Sequence, residues 1–377
     1  MPDLTRELKF RDPAKARALA DALRRNVEAI GRPVSLMHVC GSHEQAIARF
    51  GLRAVLPQGL RLVMGPGCPV CVTDAPEVDE AVALARQGVR VCTYGDMLRL
   101  PGTARSLADP QAEGAKVEVV YSIDQAIELA ARHPGEEVCF LGSGFETTAV
   151  ATAAAALAGP PGNFSILSAH KWVPAAMEVV AAAREKRIDG YLAAGHAAII
   201  TGWAIFEPFA RRTGAPVAVA GFEPLDILAA LVEVTQLVGE GRPEVANVYP
   251  RCVTREGNRP AQRALWEVFE ARDGRWRGIA EVPGGNLALR PAFAALDARR
   301  RFAIDVAAVR DAGAAEEARG CLCGSIMLGL ASPTDCRLFG DACLPESPVG
   351  ACMVSSEGQC RIWHTYGGMP DLREQRP

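Results

Sequence analysis

Twelve cysteines punctuate the 377-residue chain, and their spacing is the first sign of chemistry. In the stretch MGPGCPVCV, Cys68 and Cys71 form a C-x-x-C pair with Pro69 between them and a Gly-Pro-Gly turn in front. A pair so spaced can hold a metal, close a disulfide, or do both at different times. Cys40 ends the apolar run VSLMHVC and is followed at once by Gly41, Ser42, His43 and Glu44. Six further cysteines, at 321, 323, 336, 343, 352 and 360, fall in the last 57 residues. The final four read C-x6-C-x8-C-x7-C among glycines and prolines, as loops wrapped round a metal centre do. Four thiolates suit zinc or an iron–sulfur cluster. Structural zinc usually brings paired C-x2-4-C knuckles, which this tail lacks, so the expectation is a [4Fe-4S] cluster on Cys336, Cys343, Cys352 and Cys360. Cys321 and Cys323 form a C-x-C pair just before them. They either replace two of those ligands or stand as a dithiol beside the cluster. Cys92, Cys139 and Cys252 are expected to be buried small hydrophobes.

The elements that position these thiols follow from hydrophobic period. Residues 14–30 carry apolar side chains at helical spacing, and after them short apolar strands alternate with amphipathic helices. Strand runs stand at 34–40, 60–65, 89–95, 115–122, 136–144, 163–170 and 188–196, with a last one in APVAVAGF. Asp74 is set to cap the helix after the Cys pair, with Pro76 in its first turn and Gly88 at its end. Such alternation means parallel sheets of the doubly wound kind. The fold class expected is α/β: two similar doubly wound parallel-sheet domains plus a third, Cys-rich iron–sulfur domain. The boundaries read as 31–133 with Cys40 and Cys68/Cys71, 134–240 with the GFETT motif, and 1–30 plus 241–377 for the third domain. VCGSHE and LGSGFETT, each an apolar strand running into a glycine turn, suggest a weak duplication.

Ligands in doubly wound sheets bind outside the carboxyl ends of strands. Cys40, Cys68 and Cys71 all sit at such ends, where a following helix N-terminus favours thiolate. His43 and Glu44, polar residues directly after Cys40, are placed for a site, and three thiols together offer soft ligands to iron. GSGFETT, with Gly142, Gly144, Glu146, Thr147 and Thr148, is a glycine turn entering a helix: an anion-binding turn or merely tight strand–helix packing. It is no P-loop, since no Gly-Lys-Ser/Thr follows. His170 and His196 each stand just past a strand, either as satisfied core histidines or in a shared cleft.

Other classes are disfavoured. A net charge of −3 gives no electrostatic case for nucleic acid or anionic membrane, and five Trp and five Tyr make no stacking platform. The first residues lack a signal-peptide core, and no long uncharged apolar run appears, so a cytoplasmic protein is expected. There thiols stay reduced, which turns the cysteine cluster toward metal or redox chemistry.

CGSHE at 40–44, GPGCPVC at 65–71, GFETT at 144–148 and the tail CRLFGDAC…GACMVSSEGQC, in this order over nearly the whole chain, resemble the HypD family of hydrogenase maturation factors. The resemblance implies two similar α/β domains and a third carrying a [4Fe-4S] cluster. It implies a scaffold on which the Fe(CN)2CO unit of [NiFe]-hydrogenases is built, with Cys40 as a ligand of the transient iron. The small partner HypC would share that iron through its N-terminal cysteine. HypE, loaded by HypF, would deliver cyanide as a thiocyanate on its C-terminal cysteine. Cys68 and Cys71 would then be redox-active, with His43, Glu44 and His196 around the chemistry. The competing readings are a cluster-dependent dithiol–disulfide reductase and a zinc-stapled binding module.

Overall fold

The eight apolar runs become strands, and a ninth, unexpected strand at Val245–Asn247 joins them; among the described residues these nine form two sheets with all ladders parallel, and a separate antiparallel hairpin follows. The computed structural model describes residues 12–182, 188–305 and 320–368. Within them the chain divides into two units, one drawn from Met1–Gly67, Met177–Asn258 and Ile362–Pro377, the other from Cys68–Ala176 and Arg259–Arg361.

The first unit holds a five-stranded sheet in the order β2-β1-β7-β8-β9. Its strands are β1 (Val34–His38), β2 (Leu60–Met64), β7 (Gly190–Ala194), β8 (Val217–Ala220) and β9 (Val245–Asn247). The helix Pro13–Ile30 starts as expected: Asp12 caps it by accepting from the Ala14 N–H at 2.9 Å, and Gly31 ends it at φ 69°. Leu23 and Val27 on its apolar face join Leu36, Ile227 and Leu231 in one core, against the helix Pro224–Glu240. Residues 13–30, expected with the cysteine-rich tail, therefore pack in the first unit.

The second unit holds β3 (Arg90–Thr93), β4 (Val117–Val119), β5 (Val138–Gly144) and β6 (Phe164–His170) in the order β4-β3-β5-β6. All seven residues of β5 and of β6 are buried, the continuous apolar pattern of strands covered on both faces. The hairpin β10 (Phe269–Trp276) and β11 (Ala280–Leu289) lies against β6, where Ser168 Oγ donates to the Leu287 carbonyl at 2.6 Å. The cysteine-rich segment belongs by its contacts to this same unit. Arg99 Nη2 donates to the Pro345 carbonyl at 3.0 Å, and Asp96 Oδ2 accepts from Ser355 Oγ at 3.0 Å.

The strands expected to make contiguous domains over 31–133 and 134–240 are thus exchanged. Strands β1 and β2 pair in one sheet with β7 to β9, while β3 and β4 pair in the other with β5 and β6. Element order along the chain sets which strands exist; buried parallel strands of similar composition carry no local mark of the sheet they join. Cys92 and Cys139 are buried as expected, but Cys252 is exposed, in the turn after β9.

Candidate functional site

In an open parallel sheet the ligand crevice lies where the strand order reverses. In the first unit that point falls between β1 and β7, because β2 extends the sheet on one side and β8 and β9 on the other. Cys40 stands here, two residues past β1, as the N-cap of the helix Gly41–Arg49. It is 2% exposed and packs with Ala194 at the end of β7, with Ala197 just after it and with Phe222 after β8. The Gly-Pro-Gly turn lies on its backbone. A Cβ on Gly67 would come within 2.1 Å of the Cys40 nitrogen, so only glycine permits this approach.

His43 and His196 meet on Phe222, with ring centroids 4.9 and 5.0 Å from it. His43 Nε2 lies 3.0 Å from the Gly221 carbonyl and 3.3 Å from that of Ala220. Two acceptors there place the proton on Nε2 and leave a lone pair on Nδ1, which has no hydrogen-bond partner among the described residues. Burial lowers the pKa to about 3, helped by the charges of His38 and His196, so His43 is neutral at pH 7. Burial lowers His196 as well.

Glu44 has a different task from the one its position after Cys40 suggested. It is fully buried, and its carboxylate takes donors from three sides: His38 Nε2 at 2.8 Å, Arg53 Nη2 at 2.7 Å and Trp363 Nε1 at 2.6 Å. Burial alone would raise its pKa, but Arg53 and then His38 outweigh it and hold it down to about 2. His38 Nδ1 in turn faces the Cys40 carbonyl at 3.2 Å. Glu44 is the hub of a brace that fixes the end of β1. Sequence reading missed His38, Arg53 and Trp363; a histidine inside the apolar run VSLMHVC was the available signal.

In the second unit the order reverses between β3 and β5. Cys68 and Cys71 are joined in a disulfide with Cα atoms 5.2 Å apart, and Cys68 caps the short helix Pro69–Val72. Thr73, just after it, lies 3.2 Å from Ser143 Oγ at the end of β5, which sets the disulfide loop at the reversal point. Asp74 caps the next helix in a box with Glu77, and Pro76 and Gly88 stand as expected. The glycines of GSGFETT serve close packing. A Cβ on Gly142 would lie 2.8 Å from His170 Nε2, and Gly144, at φ 146°, lies against Thr148. Thr147 and Thr148 are half-buried in the first turn of the helix Glu146–Leu157. His170 Nε2 pairs with Thr152 Oγ1 at 2.9 Å in the core of the second unit.

Glu146 is the exception in this motif. Its Oε1 accepts from the Val173 N–H at 3.1 Å, while Oε2 is buried with no hydrogen-bond partner among the described residues. Burial raises its pKa to about 7. The folded state therefore keeps a proton that the unfolded chain releases near 4.5. Stability from this group is complete below pH 4.5 and declines as pH rises to 7. Glu146→Gln should match the parent near pH 4.5 and exceed it at pH 8 by on the order of 2–3 kcal/mol, read from Tm against pH. Equal pH profiles would show that Glu146 is already ionised in the fold.

The tail thiols gather in the same unit as the disulfide. Cys323 and Cys352 are in sulfur–sulfur contact at 2.8 Å. Hydrogen bonds from Cys321 and Cys352 hold the Cys323 thiol well below its ordinary range, whereas those with Cys323 and Cys360 hold Cys352 above it. Burial raises Cys343, which also feels Cys360 and Cys336. Backbone N–H groups point at sulfur: Val349 to Cys343 at 3.3 Å and Cys352 to Cys323 at 3.3 Å. A Cβ on Gly350 would stand 2.6 Å from Cys321 Sγ. Cys71 Sγ lies 3.9 Å from the carbonyl of Ala351, the neighbour of Cys352. Among the described residues no three His, Cys, Asp or Glu side chains close around a single ion. Nor is any helix among them long and apolar enough to cross a membrane.

The family model described as HypD, hydrogenase formation hypA family, matches residues 14–367. The chain is 43% identical over 371 residues to the hydrogenase maturation factor HypD of Azotobacter vinelandii, covering 95% of this chain and 96% of that one. It is 42% identical over 376 residues to the HypD of Cupriavidus necator, covering 97% of each. To the HypD of Rhodobacter capsulatus it is 41% identical over 369 residues, covering 96% of this chain and 97% of the other. A match of this extent places the chain in the HypD family.

Proposed function

We propose that this chain acts in hydrogenase maturation as a thiol scaffold on which an iron carrying cyanide and CO is assembled. The observation that carries this reading is Cys40, a buried thiol at the reversal point of the first sheet, with neutral His43 three residues on. Iron(II) bearing cyanide and CO is a soft centre that a thiolate can hold and later release. Cys40 is the proposed ligand, and a cysteine of the partner HypC completes the mount. HypE is the proposed source of cyanide, presented as a thiocyanate. Cleaving that S–C bond to cyanide and a thiolate takes two electrons, the number that Cys68 and Cys71 yield on closing their disulfide.

What supports a [4Fe-4S] cluster is the tail's donor set: several buried thiols in one segment, with the Val349 N–H aimed at Cys343 Sγ. Such a cluster spreads its four thiolates over separate irons, wider apart than the ligands of one ion. Two sulfurs 2.8 Å apart suit a dithiol better than two cluster positions. The reading is therefore that Cys321, Cys336, Cys343 and Cys360 hold the cluster, with Cys323 and Cys352 as a dithiol beside it. That exchanges Cys352 of the expected set for Cys321. A cluster held there would supply electrons singly. The dithiol, next to Ala351 and hence to Cys71, is placed to pass reducing equivalents to the Cys68–Cys71 disulfide.

The same contact favours a second reading, a dithiol–disulfide reductase that needs no iron on Cys40. Anaerobic iron and sulfide quantitation with infrared spectroscopy separates the two. The scaffold should carry about one iron beyond the amount matched by sulfide, with cyanide and CO bands when isolated with its partner. Iron equal to sulfide and no such bands would leave the reductase. Zinc in place of both would mean a stapled binding module.

A further inference from the structure

The second unit contains a cavity of about 310 Å³ that the scaffold reading does not use. Its wall includes Asp74, at the cap of the helix after the disulfide loop, and Arg275 and Arg277 on and beside the β10 hairpin; its floor is Met327 with Cys321 and Cys323. Arg277 is part of the frame: it is 8% exposed and donates through Nε to the Thr73 carbonyl at 2.7 Å. Arg275, also in the lining, is the solvent-exposed charge, 73% exposed, with its Nε 3.9 Å from Asp74 Oδ2. The volume is at the small end for ligand pockets, enough for a small molecule and too narrow for a folded partner. Of the two cysteines in contact, Cys323, 4% exposed, is among the residues lining the cavity and Cys352 is not.

We propose that this cavity admits a low-molecular-weight thiol bearing a carboxylate, which reduces the Cys323–Cys352 pair by attack on Cys323. The inference rests on the dithiol reading given above. The incoming thiolate bonds to Cys323 Sγ, the Cys323–Cys352 bond breaks, and Cys352 leaves as a thiolate that takes a proton. A second thiol attacks the mixed disulfide and leaves with the first as a disulfide, freeing Cys323. Two small thiols are oxidised by two electrons and one protein disulfide is reduced by two. Arg275 and Arg277 favour the carboxylate end, and the apolar floor accepts the short stem.

The test uses the anaerobically purified protein with its metal content retained, mildly oxidised, then treated with glutathione, which carries two carboxylates, or with cysteamine, which carries an ammonium. The rate at which the Cys323–Cys352 bond opens is read by alkylation and mass mapping, in the parent and in Arg275→Glu. The expected result is that the glutathione-to-cysteamine rate ratio falls roughly tenfold in Arg275→Glu at low salt, and that the first adduct maps to Cys323. An unchanged ratio, or an adduct on Cys352, overturns the cavity proposal while leaving the dithiol intact. If oxidation never links Cys323 to Cys352, the dithiol reading fails and the cavity proposal with it.

Discussion

Replacing Cys40 with alanine is expected to remove the Fe(CN)2CO signature proposed for this chain completely and to leave the fold and the tail thiols as they were. The reasoning is positional. Cys40 is the thiol that the first unit places at its strand-order reversal, and its neighbours there, Ala194, Ala197 and Phe222, offer no other soft donor. The substitution removes one sulfur from a buried contact, at a cost of about 1 kcal/mol. The brace on Glu44 uses only the backbone carbonyl of Cys40, so it survives. The measurements are infrared spectra of the protein isolated with its partner, beside Tm and sulfide content. Persistent cyanide and CO bands in Cys40→Ala would remove Cys40 from the iron.

The second large effect is expected in the tail. Serine at Cys321, Cys336, Cys343 or Cys360 should each abolish the cluster absorbance and open residues 320–361 to protease, whereas serine at Cys323 or Cys352 should retain both. Some of its apolar side chains are buried, Ile326 and Met353 among them, but the segment is built largely of turns and very short helices rich in Gly and Pro, tied to the unit in part by hydrogen bonds such as those to Asp96 and Arg99. Metal ligation then supplies folding free energy that burial does not. Bleaching by Cys352→Ser with colour kept in Cys321→Ser would restore the ligand set expected from spacing. Colour kept in all six variants would take the cluster off these six cysteines.

Much of the site was legible as local pattern. The glycine before Cys68, the cap at Asp74 and the strand ends at Cys40 and Cys68 all follow from turn and capping chemistry, which acts over a few residues. The glycine turn at 142–144 was also visible, but its purpose was not. Whether such a turn cradles an anion or lets a helix approach depends on what faces it, and here Gly142 faces His170. Glu44 was visible as a polar residue after a thiol. Its three partners, His38, Arg53 and Trp363, come from separations of 6, 9 and 319 residues. No local rule reports such a meeting.

By itself the sequence determined the α/β class, the positions of the strands and the concentration of thiols at strand ends and in the tail. These depend on hydrophobic period and residue type, which are properties of short windows. Tertiary structure alone decided that β1 and β2 pair with β7 to β9, and that residues 13–30 pack beneath that sheet while the cysteine tail joins the other unit. It also decided that Cys323 touches Cys352, though they stand 29 positions apart in sequence. The physical reason is common to all three. A buried parallel strand or a buried thiol looks the same to its neighbours in sequence whichever partner it will meet, and the choice is made by packing and by hydrogen bonds that form only when distant segments are brought together.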